Sequence, residues 1–251
     1  MKKILFVVTV CVMFASVARG ANLFDEFTNN VTKVTADVAQ RNMDNFAKDL
    51  GVLMAGGQFH QGKALGFPGF DVGIKTPVKK IGNDNVIAKA AGVNTLVFPA
   101  LQAEIGLPAK VDLIGRYSAY ENASITGMGL RYGIIKGALP GLPSLAVQSM
   151  YSSLNVSSGA NKLKATNIAF SGVASIDLPI FVPYLGITYS TTKIEPDSSL
   201  PLPRSGITGD ASGVIIEGGI NLDILPFTYL QVGAILAEGD LGYSAGLGVK
   251  F

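Results

Sequence analysis

From about Gly51 to Phe251 the side chains alternate, one apolar and the next small or polar, and this period constrains the chain more than any other feature. Successive strand residues point to opposite faces, so each such stretch is a strand with one greasy face and one polar face. The final LGYSAGLGVKF shows the pattern without a break: Leu241, Tyr243, Ala245, Leu247, Val249 and Phe251 alternate with Gly242, Ser244, Gly246, Gly248 and Lys250. Leu101, Ala103, Ile105 and Leu107 likewise oppose Gln102, Glu104 and Gly106, and Met128, Leu130, Tyr132 and Ile134 oppose Gly127, Gly129, Arg131 and Gly133. A soluble sandwich and a transmembrane barrel both read this way, so the rest of the chain must separate them.

The first residues, MKKILFVVTVCVMFASVARGA, carry Lys2 and Lys3, then an apolar run, then small residues at Ala18 and Gly20. They read as a secretory signal peptide over residues 1–20, cleaved before Ala21. A spanning helix needs a longer run. Cys11 is the single cysteine and lies in this segment, so the exported chain has no disulfide and no thiolate metal site. Without Lys2, Lys3 and Arg19, the 20 basic residues fall to 17 against 18 acidic ones. That balance gives no argument for nucleic acid. No cofactor motif is present either: GMGLRYG (127–133) and GLG (246–248) are glycine-rich but lie in strand pattern, with no helix following to receive a phosphate.

Residues 21–50 change period. Phe24, Phe27, Val31, Val34 and Val38 are spaced three and four apart, and the pattern resumes at Met43, Phe46 and Leu50 before Gly51. This is one amphipathic helix, which could plug a barrel, cap it, lie on the membrane or bind a partner. Residues 51–251 form the barrel domain. Leu-Pro steps recur in GLPAK (106–110), ALPGLPS (138–144), DLPIFVP (177–183) and ILPFT (224–228), and proline marks strand ends. The opposite ends are polar and read as longer loops: YENAS (120–124), NVSSGANK (155–162), EPDSSLPLPRSGITGDAS (195–212) and AEGD (237–240). Turns sorted to one rim and polar loops to the other suit an all-β antiparallel transmembrane β-barrel, of about twelve strands within a range of about 10–14.

Eleven strands can be counted, over 51–62, 67–76, 96–107, 110–120, 124–136, 144–155, 163–178, 180–194, 212–225, 227–238 and 241–251. Because the N-terminus of the exported chain and Phe251 are both expected in the periplasm, the number should be even. Either a weak strand in NVIAKAAG (85–92) makes twelve, the preferred count, or the N-terminal helix threads the lumen in place of one strand.

The ending YSAGLGVKF, with Tyr243, Leu247, Val249 and Phe251 in phase, resembles the terminal assembly signal of bacterial outer-membrane β-barrel proteins. GGQFHQGKALGFPGFDVGIK (56–75), following a helix, resembles an uncharacterised family of such barrels with a helical leader. The resemblance implies the outer membrane of a Gram-negative cell, with outer-membrane lipids and the barrel assembly machinery as partners. Phe251 and the Leu-Pro turns then lie at the periplasmic rim, and loop 195–212 outside.

On the inward face stand Asp71, Lys75, Glu104, Asp112, Arg116, Arg131, Glu217 and Asp223. They read either as a polar pathway that tunes selectivity or as a closed salt-bridge network. Glycines concentrate on the same face, among them Gly106, Gly133, Gly186 and Gly219. They mark either bending of the wall or the close approach of something inside it. His60 is the only histidine, with no recognisable nucleophile motif around it, so the chain reads as no enzyme. The expected role is a passive channel or transporter for a small or amphiphilic solute. The alternatives are a non-conducting structural or surface-interaction barrel and, third, an outer-membrane enzyme.

Overall fold

The computed structural model describes residues 35–86, 89, 94–120, 123–137, 139–158, 161–196 and 207–251. One helix, α1 (Ala36–Ala55), precedes the strands β1 (Phe70–Lys80), β2 (Thr95–Val97), β3 (Ala100–Leu107), β4 (Val111–Tyr120), β5 (Ala123–Ile135), β6 (Pro143–Ser158), β7 (Asn161–Ile176), β8 (Phe181–Pro196), β9 (Gly209–Leu225), β10 (Thr228–Ala237) and β11 (Asp240–Lys250). From β3 to β11 each strand pairs antiparallel with the next, β1 pairs with both β2 and β3, and β1 also pairs with β11, which closes the sheet into a barrel.

The wall has ten strands, not the expected twelve. The short β2 is an eleventh piece that shares one neighbour with β3: Val97 opposes Val78, and Leu101 opposes Ile74, both on β1. Pro99 lies between the two pieces, where a residue without an N–H interrupts the ladder. The strand expected at 51–62 does not exist. Helix α1 runs on through Gly51 to Ala55, and β1 starts only at Phe70. The weak strand sought in 85–92 is not seen either: Val86 is helical, while 87–88 and 90–92 lie outside the described residues, as do 21–34 of the expected helix and the expected signal segment.

The two faces divide as alternation requires. Phe170 is 60 % exposed on the outside, and Arg131 is 0 % exposed on the inside. Leu101, Leu113, Leu130, Ile168, Leu185, Ile187 and Leu247 are among the apolar side chains that the exterior leaves open. No helix among the described residues is long and apolar enough to cross a membrane.

The rims differ from expectation. Only 121–122, 159–160 and Glu238–Gly239 separate β4 from β5, β6 from β7 and β10 from β11, so three of the four polar connections are two residues long. Glu238 and Gly239 both take positive φ, 50° and 89°, which matches the twist of a two-residue hairpin. Among the described residues, 155–158, 161–162, 195–196 and 209–212, read as loop, are strand instead. Strands β6, β7 and β8 have 16 residues each, whereas about 9–11 suffice to cross a bilayer. Their ends rise past the others with polarity inverted. Asn155, Lys164, Lys193 and Glu195 face outward, and Leu154, Leu163, Ala165 and Ile194 face inward. We call this end the polar rim and the end bearing the Leu-Pro turns the proline rim.

Candidate functional site: a lumen filled by the chain itself

The inverted strand ends meet α1. Met43, Phe46, Ala47, Leu50, Leu53 and Met54 form one buried cluster with Ile125, Leu154, Leu163, Ala165, Ile194 and Ile207. The helix therefore lies inside the barrel at the polar-rim half. A polar lumen wall would have opposed this, but here the wall is apolar. Full burial stabilises each larger side chain by roughly 1.5–3 kcal/mol, so Met43, Phe46, Leu50, Leu53 and Met54 suffice to dock the helix. Gly51 permits the approach, since a Cβ there would lie 2.5 Å from Thr192 Oγ1. Polar ties hold the mouth: Lys48 Nζ lies 2.5 Å from Glu238 and 3.5 Å from Asp84, and Lys79 Nζ lies 3.3 Å from Asp49 and 3.0 Å from Asp240.

Helix α1 ends at Gly56, whose N–H donates to the Val52 carbonyl at 2.8 Å. Its free C-terminal carbonyls face Arg116, which donates to Met54 O at 3.4 Å and to Gly56 O at 3.2 Å. A cation at this end also complements the helix dipole. Residues 57–66 then descend through the lumen, held by wall side chains. Gly57 N–H donates to Glu217 Oε2 at 2.9 Å, Gly62 N–H to Ser175 Oγ at 2.9 Å, and Leu65 N–H to both Asp112 oxygens at 3.1 Å. At the proline rim Lys63 pairs with Asp177 at 2.8 Å.

The wall charges are linked across the lumen. Arg131 donates to both Glu104 oxygens at 2.7 and 3.2 Å, donates to Gln148 at 3.0 Å and lies 3.9 Å from Asp112. Gln148 donates to Gln58 Oε1 at 2.7 Å, and Gln102 donates to the Gln58 carbonyl at 3.0 Å, which ties that network to the segment inside. Glu217 also accepts from Tyr184 at 3.1 Å and Ser244 at 2.9 Å. His60 is wholly buried, stacked on Tyr229 at 4.6 Å with Nε2 3.2 Å from Asp71, and Tyr229 donates to Asp71 at 2.8 Å. Lys75 Nζ lies 4.6 Å over the same ring.

Of the residues the sequence placed on the inward face, Asp71, Lys75, Glu104, Asp112, Arg116, Arg131 and Glu217 are all inside and buried. Asp223 is not: it is exposed at the proline rim and pairs with Lys250 at 3.0 Å. The inward glycines are where the inner segment comes close. A Cβ on Gly186 would lie 2.8 Å from the Phe59 ring, and one on Gly133 2.8 Å from Ala64 Cβ. Sequence reading missed Gln58 and Phe59 as lumen groups because it assigned 51–62 to the wall, and Leu65 because it fell in the connection between 51–62 and 67–76. Of the terminal residues, Tyr243, Leu247 and Val249 face outward, and Phe251 stacks on Phe70 and Phe227 at the proline rim.

A family model described as "Family of unknown function (DUF6588)" matches residues 79–251. No curated protein matches the chain. Among solved structures, the COG4313 outer membrane channel from Pseudomonas putida F1 is similar at 10% identity, covering 77% of this chain and 100% of its own, with a TM-score of 0.48. The outer membrane protein OprG from Pseudomonas aeruginosa is similar at 13% identity, covering 77% and 99%, with a TM-score of 0.37. Neisserial surface protein A is similar at 14% identity, covering 73% and 97%, with a TM-score of 0.33.

Proposed function

We propose that this chain, which belongs to the family of unknown function DUF6588, is an outer-membrane β-barrel shut at rest by its own residues 36–66. Small or amphiphilic solutes pass when the stretch 56–66 shifts. One observation carries this reading: seven ionisable side chains, Asp71, Lys75, Glu104, Asp112, Arg116, Arg131 and Glu217, are buried on the lumen wall. Buried ion pairs are weak stabilisers, and apolar side chains of like volume would hold a solid barrel as well or better. A polar wall is useful where water and solute enter. The stretch 57–66 is held largely by hydrogen bonds that water could replace, whereas α1 is held by apolar packing that water could not.

The second reading, a non-conducting structural barrel, draws on the mutual pairing of Arg131 and Glu104 and on their near-zero exposure. Catalysis is the least supported, since His60 is sealed between Tyr229 and Asp71, out of reach of solvent.

Planar-bilayer recording separates the first two readings. The full chain should show little conductance. A form lacking 22–66 but keeping its leader should conduct several-fold more. If that form folds, as heat-modifiable migration would show, yet conducts no better, the structural barrel is the better account.

A further inference from the structure

The direction in which the chain runs through the lumen sets the side of the membrane on which it begins. At the head of α1, Gln40 donates to the Thr208 carbonyl at 2.5 Å, and Asp44 accepts from the Asp210 N–H at 3.0 Å, both at the polar rim. From there the chain descends. Gly51 lies against Thr192, and Phe59, eight residues further along, lies against Gly186, six residues nearer the proline rim on the same strand. Gly62 reaches Ser175, Ala64 reaches Gly133, and Gly66 reaches Gly106, beside the first Leu-Pro turn. Phe70 then pairs with Phe251 through two backbone hydrogen bonds, at 3.0 and 2.8 Å.

The wall has an even number of strands, so Phe70 and Phe251 share a rim. The lumen crossing by 36–66 adds one more passage and makes the total odd. The expectation that both ends of the exported chain lie in the periplasm therefore does not hold.

We infer that the chain preceding Thr35 lies on the opposite side of the membrane from Phe251, and that with Phe251 in the periplasm it is displayed at the cell surface. The inference rests on the membrane-spanning reading above but not on any conductance. Residues 21–34 could reach about 45–50 Å if extended, so length alone would not keep them at that face. What prevents a return is the lumen, filled by α1 and the stretch after it, and an exterior of apolar side chains.

The test is thiol labelling of the full chain in a Cys11→Ser background, Cys11 being the single cysteine. Thr28→Cys should react with a membrane-impermeant maleimide on intact cells. Ala109→Cys, in the first Leu-Pro turn, should react only after the envelope is permeabilised. Labelling of both from the same side overturns the inference. Labelling of Ala109→Cys on intact cells, with Thr28→Cys reached only from within, keeps the termini apart but overturns the surface assignment. If the thiol at 28 is unreactive even after permeabilisation, an epitope inserted after Thr28 decides: antibody binding to intact cells supports the inference, and binding only after permeabilisation overturns it. Recovery of the full chain outside the membrane fraction would overturn the membrane-spanning reading itself, an outcome distinct from either labelling pattern.

Discussion

Phe70 and Phe251, the residues at the two ends of the wall, close it on each other. Each N–H donates to the other's carbonyl, at 3.0 and 2.8 Å, and their rings stack with centroids 5.4 Å apart. Phe227 stacks on the other side of Phe251 at 5.1 Å. Phe251 therefore has a structural task in the finished barrel, besides the assembly signal proposed for Tyr243, Leu247, Val249 and Phe251.

Replacing Phe251 by Asp should remove two aromatic pairs worth about 0.5–1.5 kcal/mol each and put a charge where the proposed signal needs an aromatic. Little heat-modifiable protein should reach the outer membrane. Phe251→Tyr keeps both rings stacked and should assemble normally. Lys250→Gln breaks a partly exposed pair with Asp223 and a 5.9 Å contact with the Tyr229 ring, and should cost about 1–2 kcal/mol. Normal yield of the Asp variant on gels of heated and unheated membranes would refute the signal.

The close contact between Gly186 and Phe59 supplies a second prediction. A Cβ on residue 186 would sit 2.8 Å from two ring carbons, so Gly186→Val should drive Phe59 out of its nest with Ala146, Val173 and Tyr184. The wall should still close, because the change faces inward. Conductance should rise, and protease should cut within 56–66. Pairing Gly186→Val with Phe59→Ala should lower the thermal stability less than the two single losses summed, the mark of residues in contact. Strict additivity would place Phe59 elsewhere.

Much of the wall was legible in the sequence, and the interior was not. Alternation identifies a strand wherever one face meets lipid and the other meets polar groups, as at Leu101–Leu107 and Gly127–Gly133. It misleads where the strand leaves the membrane, because Leu154, Leu163 and Ile194 turn inward there while Lys164 and Lys193 turn out. Glu195, which also faces outward, reads in the sequence as the start of a loop although it belongs to the strand. The stretch 51–62 failed for another reason. Its first five residues continue α1, and the rest are held by wall side chains such as Ser175 and, for Gln58, Gln148, contacts between positions some 90 to 110 residues apart. No local period reports such contacts. The glycines did carry a usable signal: Gly133 and Gly186 are small because Ala64 and Phe59 lie against them. The inward charges were found because each stands in phase on a strand. Asp223 was misplaced because it lies at the strand end, where the rim exposes it.

Arg131 and Glu104 make the third prediction. Both are buried, with two hydrogen bonds between them. Removing one partner leaves the other charge uncompensated, at a typical cost of about 3–5 kcal/mol. Glu104→Gln and Arg131→Met should each lower resistance to denaturant by that order. The double variant should recover a large part, since both charges have gone. Arg131→Glu should fail to assemble rather than change ion selectivity, as it sets a carboxylate beside Glu104 and Asp112. A well-folded Arg131→Glu barrel with altered selectivity would mean that the lumen there is open and wet at rest.

The fourth prediction asks what holds α1 in place. Two kinds of contact compete: the apolar cluster around Phe46 and Leu50, and the ion pairs of Lys48 at the mouth. Phe46 is 6 % exposed, whereas the Lys48 side chain is 27 % exposed and its partners more so. Truncating a buried Phe typically costs about 3–5 kcal/mol, while a partly exposed ion pair contributes about 0–1 kcal/mol. Phe46→Ala should therefore speed hydrogen exchange of the α1 amides by two orders of magnitude or more, and Lys48→Gln by less than tenfold. In the proposed gating the helix is the fixed part, and 56–66, tied by replaceable hydrogen bonds and the single apolar anchor Phe59, is the moving part. Exchange in 57–66 of the unmodified chain should accordingly outpace exchange in α1. If Lys48→Gln loosened the helix as much as Phe46→Ala, ionic strength rather than apolar packing would govern the plug, and raising the salt concentration should then open the unmodified barrel.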